Sequence, residues 1–580
     1  MTSTVSSPAA TSATDDREIR AVLLGLRGAW ARLGAASFAV NLLALAPTLY
    51  MLQVYDRVMA SQNTLTLLAV SLITAAMLVG MALAEGWRSR WQVRTSLTLE
   101  RSLSARVFDA SARAGLNSLA APGAQGLADL TTLRQFLVGP GVYAIFDSPW
   151  APIYLAVLWL LHPLLAGTAF AFLLLQVGIA AGSQRALAQP TEAVNAAARR
   201  EQTLLRGTAR HAEVVEALGM LAALRRHWSQ RRAQQRLLAG ELQALTQRLG
   251  GVSRVVRQIQ QSASLAVGAW LVIHGDLSPG AMIAANVLMG KALAPIDALV
   301  GSWKQALGAR QAYGRIARLL SQYPDRPQAV MDGEPVGHLA LIDVRATAPG
   351  REAPLLDGIH LAFTPGSVTA LIGPSGAGKS TLARAAVGNW PEMSGEVTLD
   401  GHALAELDRD WLGRHIGYLP QDIELFDGSV AENICRFTQP DPAQVIGAAQ
   451  ACGLHEALLR LPRGYDTPVG ASGHLLSGGM RQRIALARAV YGAPHLVVLD
   501  EPNANLDEAG EAGLAQLVHA LKRQGSTVLI VSHRPAVLSV TDRIVVLENG
   551  RVRLDGPRDE VLAQLHPPAV RPVNAAPSAA

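Results

Sequence analysis

Six apolar stretches of about 20 residues each lie in the first half of the chain and constrain its fold more than any other feature. They are residues 34–54, 64–86, 141–161, 163–183, 258–275 and 279–300. An α-helix rises about 1.5 Å per residue, so each stretch is long enough to cross the ~30 Å hydrocarbon core of a bilayer. A buried soluble helix is the alternative for any one stretch, and the fifth is the weakest. Six stretches arranged in pairs favour membrane spans.

The connections between these stretches predict which side faces the cytosol. Spans 1–2, 3–4 and 5–6 are joined by short links, whereas residues 88–134 and 185–257 are long and rich in arginine. The positive-inside rule therefore places both long segments and both termini in the cytosol. Helical periodicity, as in VVEALGMLAALRRHW at 214–228, predicts that spans 2 to 5 continue as long cytosolic helices. A solvated helix face explains the arginines better than nucleic-acid binding, so we expect no nucleic-acid partner.

The composition of the remaining segments predicts the domain boundaries. YPDRP at 323–327 breaks the helical pattern, and both ends are rich in small residues without a secretory signal. Cys435 and Cys452 stand alone, which predicts free thiols. The predicted organisation is a disordered N-terminus (1–30), a six-helix transmembrane domain with cytosolic helical extensions (31–320), a linker (321–336), a second domain of α/β type (337–565) and a disordered tail (566–580).

The second domain alternates apolar strands with helices and contains a phosphate-binding loop. GPSGAGKST at 373–381 fits GxxxxGKS, and it stands between the strand VTALI and a helix, which is the context this motif requires. Backbone N–H groups and the helix dipole surround phosphates in such loops. Lys379 would reach the β- and γ-phosphates, and Ser380 would ligate Mg²⁺. The predicted binding residues are Gly373, Pro374, Ser375, Gly376, Ala377, Gly378, Lys379, Ser380 and Thr381.

A second motif, LVVLDE at 496–501, is an apolar strand that ends in two carboxylates. Asp500 suits Mg²⁺, and Glu501 suits the polarisation of an attacking water. An ordinary strand ending in acids is the alternative for this motif alone. LLSGGMRQR at 475–483 precedes it and has the features of a further anion-binding helix N-terminus.

LSGGMRQR between a phosphate loop and LVVLDE resembles the signature sequence of ATP-binding cassette (ABC) proteins. That resemblance implies that Ser477, Gly478 and Gly479 of one copy cap the γ-phosphate held by Lys379 of a second copy. Six spans and one cassette then imply half a transporter, which acts as a homodimer with ATP and Mg²⁺. The resemblance also implies further roles: Mg²⁺ and γ-phosphate sensing for Gln421 in YLPQDIELF, a place at the dimer seam for Asp507 in NANLD, and γ-phosphate contact for His533 in VLIVSHRP.

One segment departs from the family pattern. Family members often stack adenine on an aromatic residue about 25 residues before the phosphate loop, but DVRATAPGREAP at 343–354 contains none. Adenine stacking would therefore be lost or supplied from elsewhere, without effect on the catalytic group.

The apolar half resembles a narrower group. LYMLQVYDRVMASQNTLTLL at 49–68 and FDSPWAPIYLAVLWLLHPLL at 146–165 are similar to the inner-membrane ATPases of type I secretion, in particular to exporters of proteases, lipases and haem-binding proteins. The resemblance implies alternating-access export of unfolded polypeptide with a C-terminal signal. It also implies a periplasmic adaptor and an outer-membrane channel as partners. Only about 33 residues precede span 1, so we expect no N-terminal peptidase domain.

Two alternatives remain at this point. The same architecture could export lipid or small amphiphiles, and a nucleotide-gated channel or receptor could bind ATP without turnover. Glu501 and His533 argue against the second. Asn286, Lys291 and Asp297 in the sixth span are candidates for the transport pathway. Hydration at the cytosolic end of the span would explain Lys291 and Asp297 equally well.

Overall fold

The computed structural model describes residues 17–115, 125–325, 329–348, 351, 353–390, 392–470, 473, 475–504 and 506–565. The chain forms two compact units. The first contains the described residues up to Ala112 and from Gln125 to Pro324, and the second contains Arg113–Gly115 and the described residues from Asp325 onward.

The described part of the first unit is helical. Its helices are α1 (Arg17–Gly25), α2 (Arg27–Leu43), α3 (Ala46–Gln53), α4 (Met59–Ser61), α5 (Thr64–Ala114), α6 (Gln125–Val138), α7 (Pro140–Asp147), α8 (Trp150–Leu161), α9 (Pro163–Arg210), α10 (Ala212–Ala217), α11 (Leu221–His274) and α12 (Pro279–Gln322), with a π-helical turn at Val54–Val58 between α3 and α4. The prediction of disorder was wrong for residues 17–30. They are helical because the side chain of Ile19 is buried and because Glu18 pairs with Arg106.

Four helical segments in the described residues are long and apolar enough to cross a membrane: Arg27–Ser61, α5, α9 and α12. A fifth span results if α7 and α8 are taken together, although they meet at a bend of 47°. The span predicted at 258–275 lies at the end of α11, which does not reach the same apolarity. Helices α5, α9 and α11 contain 48 to 54 residues each, which correspond to lengths of about 70–80 Å. They therefore extend far beyond the predicted spans. Span 3 is not one long helix, since Pro140 and Pro149 begin new helices there.

The pathway candidates of the sixth span have different surroundings. One Asp297 carboxylate oxygen accepts from Gln176 Nε2 at 2.6 Å, and the other accepts from Arg257. Lys291 is half-buried. Oδ1 of Asn286 is buried and has no hydrogen-bond partner among the described residues. Asp297 is therefore part of a polar network that joins α9, α11 and α12, and Asn286 is a buried polar group without a partner.

The second unit contains two sheets and shorter helices. Its strands are β1 (Leu339–Ala346), β2 (Leu356–Phe363), β3 (Val368–Ile372), β4 (Met393–Leu399), β5 (His402–Ala403), β6 (Ile416–Leu419), β7 (Leu496–Asp500), β8 (Thr527–Val531), β9 (Arg543–Glu548) and β10 (Arg551–Pro557). Its helices are α13 (Lys379–Ala386), α14 (Arg409–His415), α15 (Val430–Ile434), α16 (Pro442–Ala451), α17 (His455–Leu459), α18 (Gly478–Val490), α19 (Glu508–Arg523), α20 (Pro535–Leu538) and α21 (Arg558–Leu565).

The larger sheet has the order β10-β9-β3-β8-β7-β6, and all its pairs are parallel except β10 with β9. Strands β3, β7 and β8 are buried along their whole length. Alternate residues of β3 enter two separate apolar clusters, with Ala370 in one and Leu371 in the other, so both faces of the sheet are covered. The α/β prediction is confirmed. A second, antiparallel sheet with the order β2-β1-β4-β5 was not predicted.

The parallel strands place the predicted site residues at one edge of the sheet. Strand β3 ends before Gly373, β6 ends two residues before Gln421, β7 ends at Asp500, and β8 ends two residues before His533. The carboxyl ends of parallel strands meet at the same edge, which is where open α/β sheets bind ligands.

Candidate nucleotide-binding and catalytic site

The phosphate loop needs glycine at both of its ends because the backbone of other strands approaches closely. A Cβ atom on Gly373 would lie 2.1 Å from the Leu547 carbonyl oxygen, and one on Gly378 would lie 2.8 Å from the Leu355 carbonyl oxygen. Gly378 also has a φ of +99°. The tight loop leads directly into α13, whose first-turn N–H groups have no intrahelical acceptors. This geometry provides an anion-binding site at the start of α13.

The predicted loop residues follow one another around this turn. Pro374, Ser375 and Gly376 are exposed, Gly373, Gly378 and Ser380 are half-buried, and Ala377, Lys379 and Thr381 are buried. Lys379 Nζ donates to the carbonyl oxygens of Gly373 and Pro374 at 2.8 Å each, so its ammonium lies across the loop. Burial lowers the pKa of Lys379, while the nearby charges of Glu501 and Asp500 act in the opposite direction. A bound anion at this position would restore the favourable environment for the ammonium charge.

Three oxygen donors converge beside the loop. Ser380 Oγ lies 3.2 Å from Asp500 Oδ1 and 3.4 Å from Gln421 Oε1. Asp500 is only 1% exposed, and its Oδ2 has no hydrogen-bond partner among the described residues. Burial raises the pKa of Asp500. A hydroxyl, an amide oxygen and an unpartnered carboxylate oxygen fit Mg²⁺, which takes few protein ligands beside substrate phosphates. No group of three or more His, Cys, Asp or Glu side chains suited to a metal occurs in the described chain.

Glu501 follows Asp500 at the end of β7 and faces Gln421. Its φ is +50°, a left-handed conformation that is uncommon outside glycine and is found at functional sites. Its backbone N–H donates to the Val531 carbonyl at 3.0 Å, which fixes the turn against β8. Gln421 Nε2 donates to Glu501 Oε2 at 3.3 Å. The amide of Gln421 therefore contacts both the Ser380 hydroxyl and the Glu501 carboxylate.

The signature segment forms a separate helix N-terminus. Ser477 is the N-cap of α18, and its Oγ accepts from the Met480 N–H at 3.3 Å. Gly478 and Gly479 form the first turn of α18. No hydrogen bond joins Ser477 to the phosphate loop in the described part of the chain. The structure thus contains two separate helix N-termini at the predicted positions, and their binding of anions stays a prediction.

Two contacts tie α18 to loops of its own cassette, and sequence reasoning missed both. The buried amide of Gln482 donates through Nε2 to the Pro502 carbonyl at 2.9 Å, one residue after Glu501. Arg483 Nη2 lies 3.1 Å from Asp507 Oδ1. Asp507 also caps α19 by accepting from the Gly510 N–H at 3.0 Å. The only sequence signal was the presence of polar side chains within an apolar helix.

His533 is exposed and lies two residues after β8. Its side chain forms no hydrogen bond with another described residue. Ser532, directly before it, donates through Oγ to Asn503 Oδ1 at 3.0 Å. This bond connects the turn of His533 to the segment that follows Glu501.

An aromatic side chain from elsewhere contacts the segment that lacks one. Trp390, four residues after α13, donates through Nε1 to the Thr347 carbonyl at 2.9 Å. Pro349, Gly350 and Glu352 of that segment lie outside the described residues. The structure thus places the aromatic side chain of Trp390 beside Thr347 of this segment.

Known families match two large segments of the chain, and known proteins match most of its length. The family described as ABC transporter transmembrane region matches residues 32–295, and the family described as ABC transporter matches residues 356–504. The type I secretion system ATP-binding protein PrsD of Rhizobium meliloti (strain 1021) is 38% identical over 569 residues, which cover 98% of each chain. This chain belongs to the type I secretion ABC transporters.

Other relatives of this ABC transporter are more distant. The toxin RTX-I translocation ATP-binding protein of Actinobacillus pleuropneumoniae is 28% identical over 543 residues, which cover 91% of this chain and 75% of that protein. The solved structure of a bacterial Atm1-family ABC exporter with ATP bound has the same fold, with a TM-score of 0.79 at 21% identity over 95% of this chain and 97% of that chain.

Family membership establishes the general activity. This ABC transporter binds ATP and couples its hydrolysis to transport, and it is a multi-pass protein of the inner membrane. The predicted family, fold class and enzyme class are confirmed.

Proposed function

We propose that this ABC transporter exports unfolded polypeptide as a homodimer in which each ATP lies between two chains. The observation that carries the proposal is the separation of the two anion-binding features within one cassette. Lys379, Ser380, Asp500 and Glu501 cluster at the sheet edge, whereas Ser477 lies at the N-terminus of another helix without a bond to the loop. Each cluster is half of a site, and a second chain supplies the other half.

Each half has its own task in this proposal. The first-turn N–H groups of α13 and the Lys379 ammonium hold the phosphates. Ser380, Gln421 and Asp500 would hold Mg²⁺, which would neutralise part of the phosphate charge. Glu501 accepts the proton of the attacking water, Gln421 orients the Glu501 carboxylate, and His533 contacts the γ-phosphate. From the partner chain, Ser477, Gly478 and Gly479 cap the γ-phosphate, and Asp507 lies at the seam.

Closure of this dimer drives alternating access. Moving the equilibrium between the open and the closed dimer from 1:99 to 99:1 requires ATP to bind the closed dimer more favourably by about 5.5 kcal/mol. Two ATP molecules held by charge-assisted hydrogen bonds from both chains are sufficient for this difference. Hydrolysis removes the γ-phosphate that joins the two chains, so the dimer reopens.

The proposed cargo and partners follow the relatives. Proteins named for type I secretion and toxin translocation match this chain over 91–98% of its length, which favours polypeptide over lipid or small amphiphiles. We propose a secreted protein with a C-terminal signal as the cargo, a periplasmic adaptor and an outer-membrane channel as partners, and lipid around the spans. The arginine-rich segments support a cytosolic position for the cassette and for both termini.

A comparison of secreted proteins tests this function. Cells would express the full chain with its candidate adaptor and channel, and mass spectrometry would identify the proteins in the medium. We expect one or a few polypeptides to appear with the parent chain and to disappear with Glu501→Gln. An unchanged set of secreted proteins, together with a changed lipid content of the outer leaflet, would favour the lipid exporter instead.

A further inference from the structure

Helix α18, which begins at the signature residues, is joined at its far end to the loop that carries Gln421. Arg488, in the last turn of α18, donates through Nη1 and Nη2 to the Glu424 carbonyl at 3.3 and 3.2 Å. Its guanidinium also lies over the Phe426 ring, 5.7 Å from the centroid. Glu424 and Phe426 follow Gln421 by three and five residues. Arg488 therefore holds the segment on the C-terminal side of Gln421.

A second arginine holds the segment on the N-terminal side. Arg436, two residues after α15, donates to five backbone carbonyls. Three are those of Arg488, Ala489 and Tyr491 at the end of α18, one is that of Gly413 near the end of α14, and one is that of Ile416, the first residue of β6. Strand β6 leads directly to Gln421. The Arg436 guanidinium thus joins the C-terminal end of α18 to the strand that positions Gln421.

The chemistry of this contact explains why a cation is held there without a carboxylate. The described residues show no ion pair for Arg436, but carbonyl oxygens at a helix C-terminus carry partial negative charge. Burial, followed by the Arg488 charge, lowers the pKa of Arg436 to about 10, so the guanidinium remains charged at neutral pH. Arg436 has a φ of +58°, which is rare for a residue with a side chain and marks a constrained position.

Strand β6 also contacts the end of α18 directly. A Cβ atom on Gly417 would lie 2.1 Å from the Ala489 carbonyl oxygen, so only glycine permits this approach. Side-chain bonds and backbone packing therefore connect the end of α18 to both sides of Gln421.

We propose that Arg436 and Arg488 are positioning residues that couple the two ATP sites of the dimer. The inference rests on the proposed function, in which Gln421 serves the ATP of its own chain and Ser477 serves the ATP of the partner. Helix α18 has 13 residues, so its ends are about 20 Å apart. A shift of Gln421 on nucleotide binding moves the end of α18, and the helix carries this shift to Ser477. Binding at one site then favours binding at the other.

The test measures the steady-state ATPase rate against ATP concentration for the full-length protein in lipid nanodiscs. Two coupled sites give a Hill coefficient above 1 and at most 2, and we expect this for the parent. Arg488→Ala should bring the coefficient close to 1. Arg488→Lys keeps the charge but cannot donate two hydrogen bonds from a guanidinium to the Glu424 carbonyl. Its Hill coefficient should therefore lie between those of the parent and Arg488→Ala. Arg553→Ala removes a surface arginine that pairs with Glu548 and is the matched control, with the coefficient of the parent.

Loss of folded protein would lower the maximal rate but leave the Hill coefficient of the remaining dimers unchanged, so the coefficient separates coupling from stability. A parent coefficient of 1, or a parent-like coefficient in Arg488→Ala, would overturn the inference. The proposed function fails separately, if the parent chain hydrolyses ATP as a monomer under the same conditions.

Discussion

The side-chain amide of Gln421 donates a hydrogen bond to the Glu501 carboxylate, with 3.3 Å between Nε2 and Oε2. The oxygen of the same amide lies 3.4 Å from the Ser380 hydroxyl. Gln421 therefore connects the oxygen donors proposed for Mg²⁺ with the proposed general base. A displacement of the loop that carries Gln421 would therefore change its contacts with the proposed Mg²⁺ donors and with the proposed base at the same time.

Replacement of Glu501 by Gln tests its role as the base. The amide has the same shape but cannot accept the proton of the attacking water, so ATP hydrolysis should fall by about 10²-fold or more. Binding of ATP should persist, because Lys379 and the α13 N–H groups are unchanged. Steady-state phosphate release and a filter-binding assay with radiolabelled ATP would measure the two properties. Glu548→Gln, at the surface end of β9, is the matched control, and hydrolysis by Glu501→Gln at the parent rate would exclude the assignment.

Replacement of Asp500 by Asn should have opposite effects on stability and on nucleotide binding. Burial raises the pKa of Asp500, so the folded chain binds more protons than the unfolded chain above the usual pKa of 3.8. Stability contributed by this group therefore falls as the pH rises through and above that value. Asp500→Asn removes this cost, so the nucleotide-free protein should unfold at a higher temperature near pH 7.

The same variant should lose the further stabilisation that Mg²⁺ with ATP gives the parent, because asparagine lacks the carboxylate charge that attracts the ion. Thermal unfolding of the detergent-solubilised protein, with and without Mg²⁺ and ATP, would measure both effects. A lower unfolding temperature for nucleotide-free Asp500→Asn, or undiminished stabilisation by Mg²⁺ with ATP, would contradict this interpretation.

Replacement of Gly378 by Ala should disrupt the phosphate loop. The added methyl group would lie 2.8 Å from the Leu355 carbonyl oxygen, and the φ of +99° is unfavourable for alanine. Strain of this kind costs about 1–3 kcal/mol, and relief of the clash would displace the loop. We expect weaker ATP binding by equilibrium titration. Gly447→Ala in α16 is the control, since a Cβ atom there meets nothing within 4 Å. Equal affinities in both variants would show that the loop tolerates the change.

A partly buried ion pair in the membrane unit gives a separate test of packing. Arg315 of α12 contacts both carboxylate oxygens of buried Asp129 in α6, at 2.8 and 2.6 Å. Arg315→Ala leaves that carboxylate unpaired and should destabilise the protein by about 1–3 kcal/mol, because solvent beside the half-exposed arginine weakens the pair. The double variant Asp129→Leu/Arg315→Met removes both charges and should recover most of the loss in thermal unfolding. A double variant as unstable as Arg315→Ala would show that the charge is not the cause.

The sequence predicts the ATP-binding half of the site well because its elements are local. The strand–loop–helix around Lys379 and the strand ending at Asp500 each occupy one short segment, so motif spacing determines their geometry. The parallel strands then bring Gln421 and Glu501 together, as the order of the motifs implies. The roles of His533, Ser477 and Asp507 stay predictions.

Contacts between distant segments could not be predicted. Gln482 donates to a carbonyl 20 residues away, and Arg436 donates to carbonyls up to 55 residues away, and neither contact leaves a periodic pattern in the sequence. Helix α1 was missed because it is only nine residues long and directly follows a segment rich in Ser, Thr and Ala. It folds because Ile19 packs against α5 and α12 residues that are distant in the sequence.

Chemical cross-linking tests the central claim, that two identical chains share each ATP, most directly. The native thiols of Cys435 and Cys452 are buried, so new surface cysteines would react selectively. The full-length Ser375→Cys/Ser477→Cys variant, treated with a short bis-maleimide in the presence of Mg²⁺ and ATP, would be separated on a denaturing gel. The account predicts a band at twice the mass of the 61.3 kDa chain, stronger with ATP and absent from either single variant. Cross-linking confined to single chains, with both cysteines consumed and no dimer band, would contradict it.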